Sequence, residues 1–424
     1  MSDGRINRTQ WRALIAAGLG WGFDGLDGYL YILVAIPFVT QLLDKQAPDA
    51  EVILKASIIQ AVFLVGWAVG GAVFGRIGDR LGRARTLTLT ILTYALFTGA
   101  AFFATEWWHL LIFRFIAALG IGGEWAAGSA LVSEMLHKRH RAWASATLQS
   151  CYMLGMIAAS LTAGWMKGLE PRYVFLVGVL PAFLVLWIRW AVPEPEEWKG
   201  AAEREGMPGV GALFAPAMRR TTLLVIALTS IALTTVWGFL YFAPQAIRAM
   251  PEVAGWGREE VNALVMRVTI VFLIVNIVAN YFATYLAKWV GYRAAFLVML
   301  GGSAAAFLIG FRQPPSLASI TLVTCAASFF ALGVFGIFPL YVPPLFPTLI
   351  RTLGAGFTYN VGRLAAALGT LYGGVISAKA GGPSAAIWWL GLLYLPGLVV
   401  ALMMPELTDA AREKRGADEG AGTL

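Results

Sequence analysis

From Ala13 to Val39 the chain runs for 27 residues with no charge except two carboxylates, Asp24 and Asp27. About 20 apolar residues in a helix span the roughly 30 Å hydrocarbon core of a bilayer. No water reaches backbone N–H and C=O groups there, so a run of this kind satisfies them only as a helix. Apolar runs separated by short polar loops recur twelve times. In the first half they are Trp11–Leu42, Lys55–Gly75, Thr86–Ala104, Leu110–Met135, Trp143–Trp165 and Tyr173–Trp190. The second half contributes Thr221–Ala243, Val261–Ala287, Ala294–Phe311, Leu317–Tyr341, Thr352–Ser377 and Ala385–Met404. Only 13% of the 424 residues are charged and the mean hydropathy is +0.70, whereas a soluble domain carries about 25% charge. The predicted class is an all-α polytopic membrane protein.

Charge placement sets the expected orientation. With the N-terminus in the cytoplasm, about 21 of the 32 Lys and Arg fall on the cytoplasmic side and about 8 outside. The clusters Arg80/Arg83/Arg85, Lys138/Arg139/Arg141 and Arg219/Arg220 carry that bias, so both termini are expected to be cytoplasmic. The net charge of +8 is thereby read as topology, not as nucleic-acid binding. No small-residue cleavage site follows the first apolar run, which predicts an uncleaved first helix. Very short outer loops fit a bacterial inner membrane.

The two halves repeat. Trp21-Gly22-Phe23 recurs as Trp237-Gly238-Phe239, and Asp79 to Gly82 aligns with Lys288 to Gly291. Glu134…Arg141 aligns with Pro344…Arg351, and Pro193-Glu194 with Pro405-Glu406; the four offsets are 216, 209, 210 and 212. The expected units are a six-helix bundle over 1–192, a cytoplasmic link over 193–220, a second bundle over 221–405 and a tail over 406–424. Such repeats place a site at mid-depth between them, with alternating access by rocking.

The loop GRIGDRLGRAR, Gly75 to Arg85, resembles the loop 2–3 signature of the major facilitator superfamily, Gly-x-x-x-Asp-Arg-x-Gly-Arg. The resemblance implies twelve transmembrane helices in two pseudo-symmetric six-helix bundles. It also implies a latch in this loop, with Gly75 giving close helix packing and Asp79 facing the positive end of a helix. Arg80, Arg83, Glu134 and Arg141 complete the implied gating set. The second-half copy has Lys288 in place of the acid and Pro344 where the family has Glu, so its relay is expected to be incomplete. Asp24-Gly25-Leu26-Asp27 is similar to the Asp-Gly-x-Asp motif of aromatic-acid proton symporters. GIGGEWAAGSALVSE (Gly120 to Glu134) and LFPTLIRTLGAGFTYNVGR (Leu345 to Arg363) resemble helices 4 and 11 of sialate and other organic-acid symporters.

Charges inside the apolar runs carry the functional reading. At 1.5 Å per residue, Asp24 and Arg363 both lie about 18 Å from the cytoplasmic edge and Glu124 about 15 Å. Asp27, three residues on, shares the face of Asp24. A carboxyl group cut off from water can exchange a proton near neutral pH, so Asp24, Asp27 and Glu124 are the candidate proton carriers; the bland alternative is a structural ion pair with Arg363. A guanidinium fork holds a carboxylate through two parallel hydrogen bonds, which makes Arg363, with Asn360 and Tyr359 on its face, the candidate substrate anchor. Gln149 either hydrogen-bonds substrate beside it or ties helices together. Trp21 and Trp125 flank the acids and either stack on an apolar moiety or simply pack. Arg114 and Arg267, about 30 Å from the cytoplasmic edge, are expected to snorkel at the outer boundary.

Other chemistry is excluded or unsupported. No phosphate-binding Gly-x-x-x-x-Gly-Lys-Ser/Thr loop occurs, so no ATP-driven pump, enzyme or cofactor is expected. His137 and His140 sit in a basic loop and read as solvated charge, not a metal site. Cys151 and Cys325 fall in separate apolar runs and imply no disulfide framework. The combined expectation is a monomeric, proton-coupled importer of a small organic acid. A proton-driven exporter of drugs or metabolites, and a non-transporting sensor on the same fold, stay open.

Overall fold

A computed structural model describes residues 6–44, 50–166, 169–194, 209–379 and 382–407. Most of the link expected over 193–220 and nearly all of the tail expected over 406–424 lie outside these residues. Twelve helical crossings follow in chain order. The first six are α1 (Arg8–Leu42), α2 (Ala50–Leu81), α3 (Arg83–Ala100), α4 (Trp107–Met135), α5 (Arg141–Trp165) and α6, which is broken into Val174–Val177 and Pro181–Ala191. The next six begin with α7 (Pro216–Arg248), α8 (Arg258–Val290) and α9 (Tyr292–Gly310). They end with α10 (Ile320–Gly333, continuing through Val334–Gly336 to Phe338–Tyr341), α11 (Arg351–Lys379) and α12 (Pro383–Gly391 with Tyr394–Met403). Among the described residues, eight helices are long and apolar enough to cross a membrane by themselves. The chain is a multi-pass membrane protein of two six-helix bundles.

Starts and stops follow from local chemistry. Asn7 accepts the N–H of Gln10 at 2.8 Å while Gln10 accepts that of Asn7 at 3.1 Å, a reciprocal cap on α1. Gly82 and Gly291 take φ of +104° and +87° to turn α2 into α3 and α8 into α9, a region open to glycine at little cost. The repeated Pro-Glu pairs then acquire a purpose. Glu194 accepts the N–H groups of Ala84 and Arg85 at 3.2 and 2.9 Å, and Glu406 accepts those of Tyr292 and Arg293 at 2.6 and 3.1 Å. Each half thus ends by satisfying the orphan donors at the start of its own third helix.

Small residues bring the helices together. A Cβ on Gly155 of α5 would lie 1.8 Å from the Gly22 carbonyl of α1, so these backbones touch. Large apolar side chains such as Leu161, Phe183, Ile309 and Leu322 are exposed on the outside, where lipid replaces water. The halves meet along α2 with α11, α5 with α8, and α4 with α11. Between α5 and α8, Thr147 and Tyr281 share a hydrogen bond of 2.8 Å and Asn280 donates to Ser150 at 3.2 Å, and from α5 to α10 Ser145 donates to the Gly336 carbonyl at 2.7 Å.

Candidate functional site

At the face carrying the Arg clusters, here the basic face, the two halves are latched. Asp79 on α2 accepts the Thr352 and Leu353 N–H groups at 3.2 and 2.9 Å, the exposed donors of the first turn of α11. Gly75 lets α11 this close, since a Cβ there would stand 3.0 Å from Leu353 Cα. Arg83, fully buried, reaches Asp79 at 3.3 Å and Glu134 at 3.0 Å, and donates to the Thr348 carbonyl across the halves at 2.7 Å. Arg351 of the second half also donates to Glu134, at 3.0 Å. Arg351 was missing from the expected gating set. Pro344 deprives it of an acid in its own half, and it takes the acid of the other. Arg141 and Arg351, repeat mates, each hold the carbonyl five residues back, Leu136 and Phe346. Arg80 points into the open at this face.

Deeper in, a cavity lies between the halves. Trp21, Trp67, Gln149, Tyr152 and Met153 line it from the first half. Leu233, Val236, Trp237, Leu240, Leu332, Phe335, Tyr359 and Arg363 line it from the second. The expected anchor, Arg363, is 3% exposed. Its guanidinium carbon lies 3.9 Å from the centre of the Trp67 ring and 4.9 Å from that of Tyr359, a cation–π clamp. One terminal nitrogen donates to Asn360, which itself donates to the Gly356 carbonyl at 2.8 Å. Nε has no partner, and no carboxylate among the described residues pairs with Arg363. The bridge to Asp24 or Glu124 weighed from the sequence is therefore absent in this state. Tyr359 stacks on Trp125 at 4.0 Å, and Trp21 packs at a tilt of 36° against Tyr152 at 4.9 Å. Gln149 Oε1, Trp21 Nε1 and Trp67 Nε1 lack partners among the described residues.

The acids lie behind this wall, in the first half. Asp24 is 0% exposed and neither oxygen has a hydrogen-bond partner. Glu124 accepts from Thr90 at 3.1 Å through one oxygen and leaves the other unpaired. Gly20, one turn before Asp24, makes room for Glu124, because a Cβ there would stand 1.9 Å from its Oε1. The Tyr94 hydroxyl, one turn along α3 from Thr90, is buried and unpaired as well.

Arg114 corrects the sequence reading. It does not snorkel: it is 0% exposed and holds both oxygens of Asp27 through one nitrogen, at 3.0 and 2.9 Å. Its guanidinium carbon lies 4.4 Å from the Phe63 ring centre and 5.0 Å from that of Tyr31. Counting residues along a helix puts Asp27 about 22 Å and Arg114 about 30 Å from the cytoplasmic edge and says nothing of direction; α4 is an interior helix and turns Arg114 inward, where its long side chain reaches Asp27. Arg114 and Arg363 are thus both buried cations at depth. Arg267, in contrast, is exposed. The sequence also missed Trp67, Tyr152, Thr90 and Tyr94, since neutral residues in apolar runs carry no mark of which face they occupy.

Residues 13–266 match the family model described as Major Facilitator Superfamily, and residues 196–414 match that of Sugar (and other) transporter. The chain is 29% identical over 405 residues to the probable 4-methylmuconolactone transporter of Cupriavidus pinatubonensis, covering 94% of this chain and 91% of that one. It is 27% identical to the sialic acid transporter NanX of Escherichia coli, covering 84% and 85%. The fold superposes on the proton:xylose symporter XylE with a TM-score of 0.75 at 16% identity, covering 94% and 96%.

Proposed function

The chain belongs to the Major Facilitator Superfamily, and from that premise we propose that it is a proton-coupled importer of a small organic acid. The observation that carries this reading is Arg363, a buried cation facing a cavity between the halves and paired with no carboxylate among the described residues. Ionisable groups at such depth are costly and are kept for ligands or relays. A substrate carboxylate is the fitting counter-ion, bound by Nε and a terminal nitrogen while Asn360 fixes the fork. Tyr359, Trp67, Trp21 and Gln149 would shape the rest of the subsite.

One anchoring cation favours one carboxylate, since a second would be buried unpaired. Walls of rings and aliphatic side chains favour a flat, apolar body over a polyol, whose hydroxyls would each need a partner. The named substrates of relatives, a methylmuconolactone and a sialic acid, support an organic acid; the walls lean towards the former chemistry.

Coupling follows from competition. Arg363 can neutralise either an ionised Asp24 or the substrate, not both, so a proton on Asp24 makes way for substrate. Glu124 shares the dry acid site and can share that proton. Asp27 is held by Arg114, and protonating it would release that pair. Gly75, Asp79, Arg83, Glu134 and Arg141, now with Arg351, would keep the basic face shut while the other face loads. By the positive-inside rule the basic face is cytoplasmic, which makes the direction uptake, in a bacterial inner membrane. The cavity is complete within one chain, so a monomer suffices, its moving bodies 1–192 and 221–405.

Uptake of radiolabelled carboxylates into proteoliposomes, with and without an inward proton gradient, tests the reading. Gradient-stimulated uptake of a monocarboxylate that is lost in Arg363→Ala is expected. If no acid shows gradient-stimulated uptake, the reading fails; if Arg363→Ala keeps moving neutral or cationic compounds, the exporter replaces it.

A further inference from the structure

Asp24 has no opening onto the cavity: it is fully buried and absent from the lining. A proton that couples to substrate must therefore cross the wall between them. The crossing group has to accept a proton on one side and donate one on the other. Indole N–H and guanidinium groups only donate, which removes Trp21, Trp67 and Arg363. Tyr94 is buried beyond the acids and does not reach the cavity. A hydroxyl in the wall can do both; of the two tyrosines there, Tyr359 is carried by α11 in the other half, whereas Tyr152 packs on α1 beside Gly25, next to Asp24.

Tyr152 lines the cavity, with its ring against Trp21 at 4.9 Å. Its backbone lies against Gly25, where a Cβ would come 2.3 Å from the Tyr152 carbonyl. The side chain runs on along α1 to Gly28, whose built Cβ stands 3.9 Å from the phenolic oxygen. Gly28 is one turn beyond Asp24 on the same face of α1. Its hydroxyl thus lies against α1 one turn from Asp24, while its ring lines the cavity. Glycines at 25 and 28 keep that lane clear; larger residues would push the ring back into the cavity.

We infer that the Tyr152 hydroxyl links the substrate cavity to the buried acids and passes the coupled proton to Asp24. In the step, the phenol gives its proton to the Asp24 carboxylate, directly or through a water, and takes one from hydronium in the cavity. Tyr152 ends neutral and water leaves, so charge and protons balance. Tyr152 acts here as a positioning and relay residue, and the inference rests on Asp24 as the coupling acid.

Tyr152→Phe keeps the ring on Trp21 and removes only the hydroxyl. In proteoliposomes, gradient-driven accumulation of the transported acid should fall on the order of tenfold or more, the low end of a lost proton-transfer group. Exchange of labelled for unlabelled acid at equal pH, which moves no net proton, should fall severalfold less, and the pH dependence of uptake should flatten. Trp21→Phe, which keeps the hydroxyl but alters the subsite wall, should lower affinity for the acid while leaving the pH dependence of uptake in place. Wild-type accumulation and pH profile in Tyr152→Phe, or equal losses in both assays, would overturn the inference. Asp24→Asn is run alongside: if it stays coupled, the choice of Asp24 is wrong; if it is uncoupled while Tyr152→Phe is not, only the relay fails.

Discussion

Replacing Glu134 with Gln should loosen the basic face by an amount that can be worked out. Glu134 accepts from Arg83 at 3.0 Å and from Arg351 at 3.0 Å. Arg83 and Glu134 both belong to the first half, so their bond survives rocking and contributes nothing to closure. Arg83 also keeps Asp79 at 3.3 Å and the Gly78 carbonyl at 3.0 Å. The Arg351 bond alone crosses between the halves through Glu134. A hydrogen bond to a charged group is worth about 1.5–3 kcal/mol net. Arg351 is 13% exposed, so screening is modest and about 2 kcal/mol is the working figure. That shifts the closed-to-open ratio roughly 30-fold. Spin labels at Arg80 and Lys288, both exposed at this face on opposite halves, would report it by pulsed electron resonance. The two native cysteines, Cys151 and Cys325, are first replaced with Ala. A longer-distance population should grow in Glu134→Gln. An unchanged distance distribution in a folded variant would refute the claim that this ion pair holds the halves together.

Other outcomes follow from the same geometry. Arg363→Lys keeps the charge but loses the fork and the guanidinium contact with Trp67; affinity for the transported acid, read by calorimetry, should drop about tenfold or more. Asp24→Asn should abolish accumulation against a gradient while exchange at equal pH continues, and wild-type uptake should rise as the pH of the loading face falls. Arg114→Met leaves Asp27 buried without its cation and should cost about 3–5 kcal/mol of stability; the double variant Arg114→Met/Asp27→Asn should recover most of it in a detergent melting assay.

The legible features were those in which charge interrupts an apolar run or a spacing recurs. Asp24, Glu124 and Arg363 stood out because the bilayer penalises them, and Pro193-Glu194 with Pro405-Glu406 because the halves repeat. What the pattern could not carry was direction. Arg114 and Asp27 are 87 residues apart, and only the packing of α4 inside the first bundle turns one towards the other. Thr90, Tyr94 and Tyr152 are neutral, so burying them leaves no compositional trace, and their roles depend on which acid or ring they meet. Arg351 was visible as a repeat mate of Arg141, but Glu134 as its partner lies across an interface that no local pattern encodes.

The repeat also shows where symmetry was abandoned. Leu240 stands at the mate of Asp24, and Met153, by the offset of 210 that relates α5 to α11, at the mate of Arg363. Both line the cavity. The charges therefore face apolar mates: acids belong to the first bundle, the anchoring cation to the second. In the proposed mechanism, rocking would change the distance between Arg363 and Asp24, and with it the cost of ionising Asp24, tying proton affinity to conformation through one separation. Moving the cation into the acid half, with Met153→Arg and Arg363→Met together, keeps the net charge of the cavity but fixes cation and acids in one rigid bundle. Proton and substrate binding should then no longer respond to which face is open. The double variant should equilibrate any acid it still binds without concentrating it. Concentrative uptake at the wild-type level would show that coupling does not depend on the division of charge between the bundles.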